Sequence, residues 1–182
     1  MTDILRALLF FVPAAAANAS PVFANKIPGL NRWTTPIDLG KTYRGRRILG
    51  DNKTWRGLLS GTVIGALTAI LIYVLDPSLL SHFVGVTFTP LIDTAILGAA
   101  LGFGALIGDV VESFFKRRRK VPAGNSWFPF DQIDYILGGL LFIWPLTWIT
   151  FGQAISICIA FFGLHIIGSY IGYLLKLKDK PI

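Results

Sequence analysis

The chain has 182 residues, 53% apolar and only 15% charged, with a mean hydropathy of +0.62. That excludes an ordinary water-soluble domain, and the spread of 14 Phe, 5 Tyr and 5 Trp along the chain excludes disorder and low complexity. The one cysteine, Cys158, excludes an intramolecular disulfide and a cysteine-built zinc site, while a net charge of +7 in so apolar a chain points to oriented insertion and to contact with anionic lipid or phosphate.

A helix needs roughly 20 apolar residues to cross about 30 Å of hydrocarbon. In chain order the candidate runs are Ile4–Phe23, Leu58–Leu75, Ile92–Val111, Ile136–Thr150 and Ala154–Leu175; the fourth is short, and spans if it begins a turn earlier, near Phe130 or Asp131, or lies at a thin spot in the bilayer. These runs predict an all-α, five-span membrane protein forming a single domain over 1–182. The loops 24–57 and 112–130 lie on one side, and a tight turn at Phe151–Gln153 joins the last two spans. The first loop carries Lys26, Arg32, Lys41, Arg44, Arg46, Arg47, Lys53 and Arg56; the later one carries Lys116 to Lys120, and the tail adds Lys176, Lys178 and Lys180. All of these fall on one side of the five-span arrangement. The positive-inside rule therefore puts both basic loops and the carboxy terminus in the cytoplasm, the amino terminus outside, and the protein in the cell membrane. Ala17-Asn18-Ala19 before Ser20 resembles a signal-peptide cleavage site, but cleavage would send the most basic loop across the membrane, against that asymmetry. Glycines four apart at Gly57/Gly61/Gly65, Gly98/Gly102, Gly104/Gly108 and Gly168/Gly172 predict close helix packing in lipid.

Chemistry concentrates at the cytoplasmic ends. Asp109, Glu112, Ser113 and Lys116 are spaced i, i+3, i+4, i+7 and share one face of the third helix, near headgroup level. Asp131 and Asp134 are spaced i, i+3 in the first turn of a helix entering from the same side. Capping by the helix dipole explains one such aspartate. Two acidic pairs facing each other would repel unless a cation sits among them, and hard oxygen ligands indicate Mg2+ rather than zinc. His82, on the far side, and His165, within the fifth span, read as structural. The first loop interleaves glycines with Arg44, Arg46, Arg47, Asn52, Lys53, Thr54 and Arg56, a mixture of cationic heads and free amides suited to phosphate, though without P-loop spacing. Nucleic-acid binding is disfavoured because these cations lie against the bilayer.

The string GDVVESFFKRR followed by PFDQIDYILGG resembles the carboxy-terminal signature of membrane phosphatidate cytidylyltransferases. GRRILGDNKTWRG, preceded by ANASPVFANK, resembles the archaeal branch of that superfamily, the CDP-archaeol synthases, across essentially the whole chain. The resemblance implies a Mg2+-dependent enzyme that condenses CTP with an unsaturated isoprenoid ether-lipid phosphate, 2,3-bis-O-geranylgeranyl-sn-glycerol 1-phosphate, releasing pyrophosphate. Ser113, Lys116, Arg117, Asp131 and Asp134 fall on the signature, and Asp109 on the Gly-Asp before it. Gln132 and Pro122-Ala123 depart from the broader pattern, where Arg and Lys-Asp stand.

On this reading Asp109, Glu112, Asp131 and Asp134 hold the metal, and with Lys116 they form the catalytic set. Arg44, Arg46, Arg47, Asn52, Lys53, Thr54, Arg56, Ser113 and Arg117 contact the substrates. The alternatives are a Mg2+-dependent polyprenol or lipid kinase and, from another class, a small ion channel or transporter gated by Asp109. A CDP-alcohol phosphotransferase is disfavoured because its spaced aspartate motif is absent. Oligomeric state is not legible.

Overall fold

The computed structural model describes residues 3–80, 91–122 and 125–174. The candidate loop around His82 and the lysines of the tail lie outside the described residues. The helices are α1 (Asp3–Ala24), α2 (Trp55–Leu75), α3 (Leu91–Arg118), α4 (Phe130–Ile143) and α5 (Phe151–Leu174), with short 3-10 turns at Leu30–Arg32 and Trp144–Leu146.

Four of them, α1, α2, α3 and α5, are long and apolar enough to cross a membrane. The fourth expected span is shorter than the composition suggested. α4 begins at Phe130 but ends at Ile143, where Pro145, lacking an amide hydrogen, turns the chain into a 3-10 turn. Its 14 residues rise only about 21 Å. The expected turn at Phe151–Gln153 is already helix. Thr150 and Gln153 close a reciprocal capping box: Gln153 Oε1 accepts from the Thr150 amide at 2.8 Å, and Thr150 Oγ1 accepts from the Gln153 amide at 3.3 Å. α3 also runs two turns past Val111, so residues 112–118 belong to a helix rather than a loop. At about 1.5 Å per residue it is about 42 Å long, which exceeds the hydrocarbon thickness and carries Glu112 to Arg118 to the interface or beyond.

α3 is the centre of the bundle, packed on α1, α2 and α4. The core joins Phe10 and Phe11 of α1, Leu97 and Leu101 of α3, Ile136 and Ile143 of α4 and Ile157 of α5, all essentially inaccessible. The Phe11 ring lies 5.0 Å from Phe161 and 6.4 Å from Tyr135, centroid to centroid. Leu59, Val63, Leu67, Leu71 and Val74 form an exposed apolar face on α2, as a helix facing acyl chains requires.

Two glycine contacts set the spacing. Gly65 meets the backbone of Gly98 and Gly102, bringing α2 onto α3, and Gly108 meets Gly138 and the carbonyl of Asp134, bringing α4 onto α3. A methyl group at either place would strike backbone, so these helices meet main chain to main chain. Gly168, by contrast, faces open space.

Candidate active site

The Gly108–Asp134 contact lies beside the acidic residues. It lets the first turn of α4 lie directly against α3, and one carboxylate oxygen from each of Asp109, Glu112 and Asp134 comes within 4.8 Å of the others. Glu112 is 7% exposed, and its buried Oε1 has no hydrogen-bond donor among the described residues, with Lys116 Nζ 3.5 Å away. Asp134 Oδ1 accepts the backbone amide of Tyr135 at 2.6 Å. Three carboxylates so close repel one another, and an oxygen buried without a donor is costly. The donor set is oxygen only, and together with the orphaned Glu112 oxygen it fits a hard metal cation.

Two lysines offset part of the charge. Lys53, from the end of the first loop, donates to both oxygens of Asp109 at 2.6 Å. Lys116, one turn past Glu112 on α3, donates to Asp131 Oδ1 at 2.5 Å. Asp131 therefore stands outside the close trio. Its Oδ1 takes the lysine, its Oδ2 accepts the Trp127 amide at 2.5 Å, and it borders the cluster through Glu112. The structure thus groups three of the four expected ligands and turns the fourth toward a cation. The physical reason is local: Asp131 sits in the first turn of α4, within reach of the Trp127 amide in the segment leading into the helix and of Lys116 on α3.

The first loop is a built platform. Its β1 (Thr42–Tyr43) and β2 (Arg46–Arg47) form a hairpin turned by Arg44 and Gly45, both at positive φ (52° and 74°). Asp38 organises it. This buried carboxylate accepts the amides of Gly40, Leu49 and Gly50 at 3.0 to 3.2 Å and the Arg47 guanidinium at 2.8 Å. Burial pushes the Asp38 carboxyl upward, but Arg47 and the three amides outweigh it and hold the group well below the usual carboxylate range. Arg47, bonded also to Asp51 at 2.5 Å, is correspondingly held above the ordinary guanidinium value.

The hairpin docks on the end of α3. Arg118 donates to the carbonyls of Tyr43 (2.8 Å) and Arg47 (2.6 Å) and lies 5.3 Å and 4.9 Å from the rings of Tyr43 and Phe114. Arg46 returns a bond to the Arg118 carbonyl at 3.2 Å, satisfying a helix-end acceptor.

The expected substrate-contact residues therefore separate. Lys53 reaches the carboxylates, and with Asn52 and Asp109 it lines a cavity of about 270 Å³ bounded by Asn18 of α1. Arg46 and Arg47 are tied into the loop, Arg44 stacks on Tyr43 at 5.3 Å, and Thr54 caps α2 by accepting the Gly57 amide at 3.1 Å. Ser113 is buried in α3, and Arg117 bonds the Pro122 carbonyl at 3.5 Å. Arg56 lies on a different face of α2, bonded to the Leu30 carbonyl at 3.1 Å.

Sequence reasoning passed over Asp38 and gave Asn18 no role in a site. Asp38 had a signal: it and Asp51 are the only acidic residues in a loop with eight cations, and Gly40 follows two positions on, as in an Asx turn. Asn18 had none beyond being an amide within an apolar run.

Fold and site together define a multi-pass membrane protein with a carboxylate centre suited to a cation, served by a basic loop. The sequence matches the family model for CarS-like CDP-archaeol synthase over residues 1–182. It is 37% identical to the CDP-archaeol synthase of Thermococcus kodakarensis, covering 100% of this chain and 98% of that protein. It is 39% identical to that of Methanospirillum hungatei, covering 86% and 95%. A solved structure described as "Structural insight into an intramembrane enzyme for archaeal membrane lipids biosynthesis" superimposes with a TM-score of 0.73 at 32% identity, covering 91% of this chain and 93% of that one. The chain belongs to the CDP-archaeol synthase family, and is accordingly an enzyme, a nucleotidyltransferase of lipid biosynthesis.

Proposed function

We propose that this protein transfers the cytidylyl group of CTP to the phosphate of 2,3-bis-O-geranylgeranyl-sn-glycerol 1-phosphate, forming the CDP-activated ether lipid and pyrophosphate at the cytoplasmic face of the membrane. The observation that carries the proposal is the convergence of Asp109, Glu112 and Asp134 within 4.8 Å, with Lys53 and Lys116 beside them, at the end of a membrane-length helix. Family membership supplies the reaction class, and the basic loop supports the cytoplasmic side.

The three carboxylates would hold Mg2+, which when bound supplies charge neutralisation to a triphosphate and its leaving pyrophosphate. Lys53 and Lys116, now bonded to Asp109 and Asp131, are placed to donate to phosphate oxygens once these enter. The lipid phosphate is already an anion at neutral pH and needs no strong base. Its oxygen attacks the α-phosphorus of CTP in line, a new P–O bond forms, and the bond to the β-phosphate oxygen breaks to release pyrophosphate. The residues act by positioning and by electrostatics fixed in advance. Asp131 positions Lys116, and Asn52 with Asn18 borders the cavity that opens onto Asp109. The site's level suits the two substrates, since CTP comes from water and the lipid phosphate from the bilayer.

The test is incubation of purified protein with labelled CTP, Mg2+ and the geranylgeranyl ether-lipid phosphate, beside Asp131→Asn and Asp134→Asn variants. A labelled CDP-lipid with equimolar pyrophosphate is expected, and its loss in Asp134→Asn. A nucleoside diphosphate product would instead indicate a kinase, ion flux in liposomes without nucleotide chemistry would indicate a channel, and full activity in both variants would overturn the site.

A further inference from the structure

A second cavity lies outside the reaction site. It is a groove of about 620 Å³ between α1 and α2, walled by apolar side chains such as Ala19, Phe23, Leu59 and Val63. Its two wall hydroxyls do not make it polar: Ser20 donates to the Ala17 carbonyl at 2.9 Å and Ser60 to the Gly57 carbonyl at 3.1 Å, each within its own helix. From Arg56 to Ile64 the groove follows α2 for about 12 Å, the depth of a bilayer leaflet's upper half. At its head sit the exposed Trp33 and Leu30, residues suited to the headgroup boundary.

Arg56 is what distinguishes this groove from ordinary lipid-facing surface. The residue is 7% exposed, and among the described residues its side chain makes one hydrogen bond, Nη1 to the Leu30 carbonyl, while its buried Nε has no acceptor. A guanidinium cannot shed its charge, and among the described residues no carboxylate pairs with Arg56, so an anionic partner is strongly favoured. The groove does not communicate with the carboxylates. At 100° per residue, Ala16, Ala19, Ser20 and Phe23, which line it, lie roughly opposite Asn18, Pro21 and Val22, which line the Asp109 cavity. Arg56, Leu59 and Val63 are likewise turned away from Gly57 and Leu58. Between the two cavities α1 and α2 touch, with Gly57 against Pro21 and Gly61 against Ala17.

We infer that this groove is a binding site for an anionic bilayer phospholipid that is not the substrate, with one chain along α2 and the headgroup phosphate on Arg56. The apolar walls select a chain, the guanidinium, which no carboxylate neutralises among the described residues, selects a negative headgroup, and the α1–α2 contact keeps the bound lipid from the reacting phosphates. Such a lipid would brace the Leu30 loop against the start of α2, three residues from Lys53. The inference stands apart from the proposed reaction, because binding is read without turnover.

The experiment is native mass spectrometry of the full chain released from neutral detergent. The probes are diphytanoyl phosphatidylglycerol and diphytanoyl phosphatidylcholine, which share branched tails and differ in headgroup charge. The parent is expected to retain phosphatidylglycerol in preference by roughly tenfold, the scale of one charge-assisted hydrogen bond. Arg56→Gln should remove that preference, and Arg32→Gln, a cation of the same loop outside the groove, should keep it. Ala19→Phe should lower retention of both lipids; because it leaves the Arg56–Leu30 bond intact, it carries the test should Arg56→Gln fail to fold. Equal retention of the two lipids by the parent, an unchanged preference in Arg56→Gln, or unchanged retention in Ala19→Phe would each overturn the inference.

Discussion

Asp38 and the trio of Asp109, Glu112 and Asp134 are two buried or half-buried acidic centres in one small protein, served in opposite ways. Asp38 takes three backbone amides and an arginine, so its charge is neutralised by covalently fixed neighbours. The trio sets three carboxylates within 4.8 Å and leaves Glu112 Oε1 without a hydrogen-bond donor among the described residues. A carboxylate whose lone pairs are filled holds a fold together, whereas a crowded, under-served cluster has capacity left for an ion or a substrate. Composition does not separate the two; only their surroundings do.

That contrast can be broken most directly at the trio. Asp109→Asn and Asp134→Asn should each lower CDP-lipid formation by at least about 10²-fold, since loss even of outer partners of a metal centre costs about 10- to 100-fold. Chelation of divalent ions should abolish turnover in the parent and restore it on addition of Mg2+. Melting temperature near the parent's in either variant would separate this loss from unfolding. If activity survives, the trio is an acidic cluster like any other.

Gly108→Ala tests whether the approach of α4, rather than the carboxylates alone, makes the site. The added methyl would collide with the Asp134 carbonyl, a backbone atom that cannot turn aside. Overpacking of this kind costs typically about 1–3 kcal/mol and should move Asp134 from Asp109, with activity falling about tenfold or more. Retained activity with an unchanged melting temperature would mean that the helices can separate without cost.

Lys53→Met is expected to be milder, lowering kcat/KM for CTP by about tenfold to 100-fold through loss of one positioned cation. A KM effect without a kcat effect would assign Lys53 to ground-state binding, and an unchanged rate would remove it from the site.

The smallest effect belongs to the satisfied carboxylate. Asp38→Asn should loosen the hairpin, raise protease cleavage within residues 39–52 and lower activity only severalfold. Because the folded carboxyl is held below its unfolded value of about 4, its contribution is complete above that pH and fades only in stronger acid. The difference in stability between parent and variant should therefore stay flat from pH 8 to about pH 5 and shrink below pH 4. A difference that changes near neutrality would show that another group governs the loop.

The apolar runs of α1, α2, α3 and α5 were legible because a bilayer demands long uninterrupted apolar stretches, and the acidic face of α3 because 3.6-residue periodicity aligns Asp109, Glu112 and Lys116. Family motifs identified the class, confirmed over the whole chain. Element ends were less legible. The Thr150–Gln153 box, the stop at Pro145 and the emergence of α3 past Val111 each depend on a few polar atoms at a terminus, to which a hydropathy window is blind.

The sequence by itself determined that this chain lives in a membrane, where its charges concentrate, and which acidic residues share a helix face, because all three follow from composition and local period. Only the tertiary structure decided which charges meet. Lys53 reaching Asp109, Asp131 turning to Lys116, Arg47 closing on Asp38 and Arg56 heading a separate groove are contacts made by helices meeting through glycine and by a loop folding back, and side-chain reach across such contacts is not encoded in residue type or spacing.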